Sequence, residues 1–227
     1  MTSASLDFER AGTRLTAYAE RALFWPRGRC LLLADLHLGK GEVLRRAGIP
    51  VPRGGTAHDL ARLSALIEHC RPAQLWVLGD LLHGPVPPQS DWLLQWLEWR
   101  ERHGELAVHV VRGNHDRALD DRQLAIESHT EGHLLEPFVL THHATETLQG
   151  HVLCGHLHPV CRLPALRQRW PAFHLAPGQT VLPAFSAFTG GSAFQPAAGE
   201  QALLCVQGHV VPVSYTHLRA HETRGNL

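Results

Sequence analysis

Five short aliphatic runs, each ending abruptly in a polar motif, constrain this chain more than any other feature. Leu31–Leu33 leads through Ala34 into Asp35-Leu36-His37-Leu38-Gly39-Lys40, and Leu75–Leu78 leads into Gly79-Asp80. Leu106–Val111 leads into Arg112-Gly113-Asn114-His115-Asp116, Phe138–Leu140 into Thr141-His142-His143, and Val152–Cys154 into Gly155-His156-Leu157-His158. Bounded runs of this length read as strands. Their lack of polar alternation predicts a sheet covered on both faces. In an extended chain alternate side chains share a face, so Asp35 and His37 are expected to point one way while Leu36 and Leu38 point back into the core. Every run delivers an oxygen or nitrogen ligand type at its carboxyl end, where open α/β sheets bind ligands. A lone Asp-x-His is more often a turn or a hydrogen-bonded pair than a metal-ligand pair. Five recurrences at strand ends are hard to obtain from core packing alone.

The remaining chain supplies the covering layers. Leu6 to Phe24 reads as one or two strands, with Thr13–Tyr18 the better one. Glu42–Ala47 reads as a short helix stopped by Gly48 and Pro50. Thr56–Cys70 is a longer helix with Leu60, Leu63, Leu66 and Ile67 on one face. Ser90 is a candidate N-cap for a helix from Asp91 to about His103. Its Trp92, Trp96 and Trp99 are expected in the core rather than as a base-stacking platform. Asp120–Ser128 is ambiguous between helix and strand, and Glu131-Gly132 reads as a hairpin turn into a strand over Leu134–Leu140. After His151 the pattern is mostly strand, at Val152–Cys154, Phe173–Leu175, Thr180–Phe185 and Ala202–Val206. Helices alternate with strands in the first half, and strands dominate the second.

Composition removes some functional classes. Lys and Arg together number 21, as do Asp and Glu, so no global positive field advertises a nucleic-acid partner. Any basic groove must be local. Lys40 is the sole lysine. The five cysteines (Cys30, Cys70, Cys154, Cys161, Cys205) form no Cys-x-x-Cys pair, which favours reduced thiols in a cytoplasmic protein. The N-terminus lacks a secretory pattern and no apolar stretch reaches membrane-spanning length, so no membrane partner is expected. With 18 histidines in the chain, position rather than residue type must carry the argument. His69, His103, His109, His129, His133, His151, His174 and His209 are read as ordinary structural histidines.

Residues 1–212 are read as a single domain within the 227. Residues 213–227, beginning Val213-Ser214-Tyr215-Thr216-His217-Leu218-Arg219-Ala220, resemble the conceptual translation of a transposase-type sequencing-library adaptor and are expected to be a non-native tail. His217 and His221 are given no role.

In order, the polar motifs are Asp-x-His, Gly-Asp, Gly-Asn-His-Asp, a strand-terminal His, and Gly-His-x-His. That ordered set, spanning Leu31 to Pro159, resembles the calcineurin-like metallophosphoesterase superfamily. Asp35 to Gly41, Arg45 to Pro52, Gly79 to His83 and Cys154 to Pro159 are similar to the ligase-associated DNA damage response endonuclease group. The resemblance implies an α/β fold: a metallophosphoesterase-type β-sandwich of mixed sheets flanked by helices, with the metal site at the carboxyl ends of the strands. It implies that Asp35, His37, Asp80 and His158 hold one divalent cation. Asp80, Asn114, His142 and His156 would hold a second, with Asp80 bridging and His143 the alternative to His142. Mn is implied by the resemblance, and mixed His and carboxylate donors also suit Fe or Zn. Two cations about 3.5–4 Å apart can activate a bridging hydroxide and clamp both oxygens of an in-line displacement. His115 would act outside the metal shell as the catalytic histidine, a contribution typically worth about 10²–10⁴-fold.

Candidate phosphate contacts are Arg117, beside His115, and Lys40, Arg45 and Arg46 beyond the first motif; a solvated helix face accounts for the latter group equally well. His83 is expected either to line the pocket or to hydrogen-bond a loop. DNA is the implied substrate, with a DNA ligase and a helicase as implied partners. A nucleotide or small-molecule phosphoesterase is the alternative within the same chemistry. A metal-free scaffold is the alternative outside it, and it would be expected to have lost ligands that are all present here.

Overall fold

The computed structural model describes residues 5–162 and 168–214. Two mixed sheets face each other, and helices cover one outer side. The first sheet has seven strands in chain order: β1 (Ser5–Arg10), β2 (Thr13–Tyr18), β3 (Ala22–Trp25), β4 (Cys30–Leu33), β5 (Gln74–Leu78), β6 (Ala107–Val111) and β7 (Glu127–His129). Strands β1 to β4 pair antiparallel, and β4 to β7 pair parallel.

The second sheet has nine strands. Along its main path lie β14 (Ser192–Ala193), β11 (Pro159–Arg162), β12 (Arg169–Leu175), β13 (Gln179–Val181), β10 (His151–Cys154), β9 (Phe138–Leu140) and β8 (His133–Leu135). β15 (Gln201–Val206) joins β12, and β16 (His209–Ser214) joins β15. The helices are α1 (Lys40–Arg46), α2 (Gly55–Cys70), α3 (Asp91–Arg102) and α4 (Asp121–Leu124).

Burial explains why the central runs carry no polar alternation. Leu31, Leu33, Leu75 and Val77 pack outward with Leu60 and Leu63 of α2 and with Trp92, Trp96 and Trp99 of α3. Leu32, Trp76, Leu78 and Val111 face the other way and meet Phe138, Leu140, Leu153 and Phe173 of the second sheet. Each strand thus buries both faces. Trp96 and Trp99 are fully buried, and Trp96 Nε1 donates to the Leu124 carbonyl at 2.9 Å. Truncating either to Ala would cost about 3–5 kcal/mol.

Several expectations change. Leu134–Leu140 is not one strand: β8 and β9 pair antiparallel around Glu136-Pro137, with Leu135 opposite Phe138. Proline offers no N–H to a ladder, so the run breaks there. Glu131-Gly132 is a turn, yet it connects strands of different sheets rather than a hairpin. Thr180–Phe185 is strand only to Val181; Pro183 follows, and Ala184 then bridges to Ala34 of the first sheet. Asp120–Ser128 resolves into the one-turn α4, capped by the Asp120 carboxylate, followed by β7. Three strands, not two, precede β4, and β11, β14 and β16 lie where no strand was expected. β16 includes Val213 and Ser214, with Val213 buried and paired to Ala202. The folded chain therefore runs two residues past the boundary expected at 212; residues 215–227 lie outside the described residues.

Candidate metal centre

The carboxyl ends of β4, β5 and β6 in one sheet and of β9 and β10 in the other converge on one place. Asp35, His37, Asp80 and His142 are buried there. The sharing of a face by Asp35 and His37 does not arise from extended backbone, as the sequence argument supposed. β4 ends at Leu33, and Asp35 (φ 56°) and His37 (φ 51°) are left-handed, as are Asp80 (φ 51°), His156 (φ 66°) and His158 (φ 46°). Left-handed backbone costs an L-residue on the order of 1–2 kcal/mol, and such residues cluster at functional sites. Backbone bonds hold them: Asp35 N–H donates to Gly79 O at 3.1 Å and His37 N–H to Asp80 O at 2.9 Å. Leu36 and Leu38 do return to the core.

Three overlapping groups result. Asp35, His37 and His158 place ligand atoms within 4.8 Å of one another; so do Asp35, Asp80 and His142, and so do His142, His143 and His156. Asp35 Oδ1 lies 3.2 Å from His158 Nε2, and His156 N–H donates to Asp35 Oδ2 at 3.1 Å. His142 donates from Nδ1 to the Leu78 carbonyl at 3.1 Å, which leaves its Nε2 lone pair facing the site. That nitrogen stands 3.0 Å from Asn114 Oδ1, 3.5 Å from Asp80 Oδ2 and 3.1 Å from His156 Nδ1. His143 instead turns to Glu131, its Nδ1 2.8 Å from Oε1, with a side chain 45% exposed.

Glycines permit this crowding. A Cβ on Gly113 would fall 2.3 Å from Asp80 Oδ1, and one on Gly155 would fall 2.8 Å from Asp35 Oδ2. Asp116 ties two of the loops together, accepting Leu82 N–H at 2.9 Å and Gly113 N–H at 2.8 Å. The sequence motif contained Asp116 but gave no reason to assign it a role.

His115 sits at the rim. Its N–H donates to Asp80 Oδ1 at 2.9 Å, and its Nε2 is 4.0 Å from Asp80 Oδ2. His83 stacks on it at 4.9 Å and meets His37 edge-on at 5.0 Å, so it lines the site. A cleft of ≈240 Å³ borders His37 and is lined by Lys40, Arg45, Arg53, Thr56 and Phe188. Another of ≈410 Å³ borders Asn114, His115 and Arg117. Arg46 is paired with Glu42 at 2.5 Å instead and lines neither cleft.

The far wall of the first cleft was not visible in the sequence. The buried Asp59 of α2 accepts Ala187 N–H at 3.3 Å and binds Arg62 at 2.7 Å, and Arg62 reaches the Phe185 carbonyl at 3.1 Å. This anchors residues 185–189, where Thr189 meets Lys40 Nζ at 3.0 Å.

Residues 28–170 match the family model of the calcineurin-like phosphoesterases. The chain belongs to this family. The Pseudomonas putida nuclease MPE is similar over 92% of this chain and 100% of its own, at 37% identity and a TM-score of 0.81. The E. coli phosphoesterase YfcE is more distant, at 17% identity and a TM-score of 0.46 over 82% of this chain and 98% of its own. No curated protein matches. Membership of the calcineurin-like phosphoesterases places the chain among the hydrolases, and the family uses divalent metals.

The donor set fits such ions. Asp35 Oδ1, both ring nitrogens of His37 and His158 Nε2 are buried without a hydrogen-bond partner. Unpaired buried polar groups are costly and rare, and a cation would satisfy Asp35 Oδ1, His158 Nε2 and the one ring nitrogen of His37 that carries the lone pair. Burial, then Lys40 and neighbouring histidines, pushes His37 down to about 2. Burial, then His142, lowers His156. Neutral imidazole is the form that ligates a metal.

Proposed function

We propose that this chain is a nuclease that hydrolyses phosphodiester bonds in DNA with two divalent cations, Mn by preference, and acts in cytoplasmic DNA repair beside a ligase and a helicase. The observation that carries the reading is a chain of adjoining ligand groups: Asp35 with His37 and His158, Asp35 with Asp80 and His142, and His142 with His156, which puts Asp80 between the donors of two neighbouring sites. In this reading Asp35, His37, Asp80 and His158 hold one cation. Asp80, Asn114, His142 and His156 hold the other, and Asp80 is shared because a carboxylate has two oxygens to offer. When bound, the cations supply Lewis acidity at the phosphoryl oxygens and a water nucleophile at neutral pH.

The rest falls to side chains. His115, 41% exposed and beside the shared Asp80, carries a proton to the leaving oxygen. The two clefts flank it: one borders His37 and the other His115, whose rings are 5.6 Å apart. A strand crossing that point would meet Lys40 and Arg45 on one side and Arg117 on the other. Arginine suits phosphate through paired donors. The likeness to nuclease MPE along that whole protein supports nucleic acid over a small ester.

The test is a substrate panel with purified protein and Mn²⁺: single-stranded DNA, duplex DNA, nucleotides and an activated small phosphodiester. Cleavage of DNA is expected. Hydrolysis of nucleotides with no cutting of DNA would replace this reading with a small-substrate phosphoesterase.

A further inference from the structure

A second cluster of ligand-type side chains lies on β6 and β7. In their parallel register His109 is opposite Glu127 and Val111 is opposite His129. Alternation along each strand therefore puts His109, Glu127 and His129 on one face. His109 Nδ1 is 3.1 Å from His129 Nε2. Oxygens of the Glu127 carboxylate stand 3.4 Å from the first nitrogen and 3.7 Å from the second. Ligands of a tetrahedral zinc, with bonds of about 2.0–2.1 Å, lie about 3.3–3.4 Å apart. The three observed separations straddle that value. A hydrogen bond between two imidazoles would explain the shortest alone; it would not explain a carboxylate astride both nitrogens.

The surroundings suit a rigid site with one open side. Trp76, the cross-strand neighbour of His109, stacks on its ring at 4.4 Å and 15°. The His133 ring packs 4.3 Å from that of His129. The His109 and His129 side chains are only 16% and 15% exposed, whereas Glu127 is 66% exposed and leaves an entry path from solvent.

We propose that His109, Glu127 and His129 form a zinc site, built from different residues than the catalytic centre, that pins β7 to β6. The fourth position is open to water. β6 runs directly into Gly113-Asn114-His115, and Arg112 N–H donates to the His129 carbonyl at 2.9 Å. Zinc here braces the strand pair that carries the catalytic loop.

The experiment equilibrates the full chain with Zn²⁺, removes free metal by gel filtration and counts zinc by elemental analysis. The catalytic centre also takes zinc, but it is common to every variant, so differences read this site. Glu127→Gln combined with His129→Gln is expected to retain one zinc per chain fewer than wild type while still hydrolysing phosphodiesters. Glu127→Gln alone changes an exposed side chain and should fold; with Co²⁺ it is expected to lose the intense visible absorption of a tetrahedral site. Equal zinc content in all three proteins, with unchanged cobalt spectra, would overturn the proposal. If the double variant fails to fold, the Glu127→Gln result decides.

Discussion

Asp116 offers a quantitative test of how the loop carrying Asn114 and His115 is held. Its carboxylate is 1% exposed and accepts two backbone N–H groups, Leu82 on the loop after β5 and Gly113 on the loop after β6. Those loops carry Asp80 on one side and Asn114 and His115 on the other. Asp116→Ala strands both donors in a buried setting. Each unsatisfied group costs about 1–3 kcal/mol, so the variant should lose about 2–6 kcal/mol. Asp116→Asn keeps one acceptor and turns an NH₂ on the other donor, so it should lose about half as much. Against a total stability of about 5–15 kcal/mol, Asp116→Asn should fold and be measurable, and Asp116→Ala should do so wherever the wild type exceeds about 6 kcal/mol. Urea unfolding followed by tryptophan fluorescence gives the energies, and hydrolysis of an activated phosphodiester reads the loop. The graded order wild type, Asn, Ala is expected in both assays. Equal costs for Asn and Ala, or costs below about 0.5 kcal/mol for both, would refute this account of the loop.

Other expectations follow from single contacts. Burial, helped by Arg10, pushes His151 down to about 4 from 6.5, so the unfolded chain binds more protons between those values and stability is lost as pH falls through that window. That gap corresponds to at most about 3 kcal/mol; His151→Gln should flatten the difference between urea unfolding at about pH 7 and about pH 4.5 relative to wild type. Arg45→Ala should weaken DNA cleavage and reduce the salt slope by about 0.7–0.9 for one lost phosphate contact. Arg46→Ala, removing a residue paired with Glu42, should do much less, and neither should impair an activated small phosphodiester; equal loss on both substrates would point to a fold defect. Deleting residues 215–227 should leave Tm unchanged, whereas deleting Ser214 and the buried Val213 as well should lower it by roughly 3–10 °C.

The strand-end donors were legible because a parallel strand buried on both faces must write itself as an unbroken apolar run, and its carboxyl end must then show as an abrupt change. Asp35, Asp80, Asn114, His142 and His156 all follow such ends. The left-handed backbone at Asp35, His37 and Asp80 was not legible, since φ is recorded in sequence only where glycine is required. The wall at residues 185–189 was hidden for another reason: it depends on Asp59 and Arg62, about 125 residues earlier, and long-range pairing leaves no local pattern. Among 18 histidines, His109 and His129 looked ordinary until the β6–β7 register set them side by side. Val213 was assigned to the tail because it and its neighbours in sequence resemble an adaptor translation, yet its partner Ala202 lies across a strand pair.

The most direct test of the central claim compares Asp80→Asn with His115→Ala by elemental analysis and DNA hydrolysis on the same preparations. Asp80 is 2% exposed amid the ligand groups, whereas His115 stands at the rim. The account predicts that Asp80→Asn loses both bound metal and cleavage. It predicts that His115→Ala keeps its metal and loses about 10²–10⁴-fold in turnover, the usual range for a missing general acid. Equal metal loss in the two variants, or full metal content with full activity in Asp80→Asn, would contradict it.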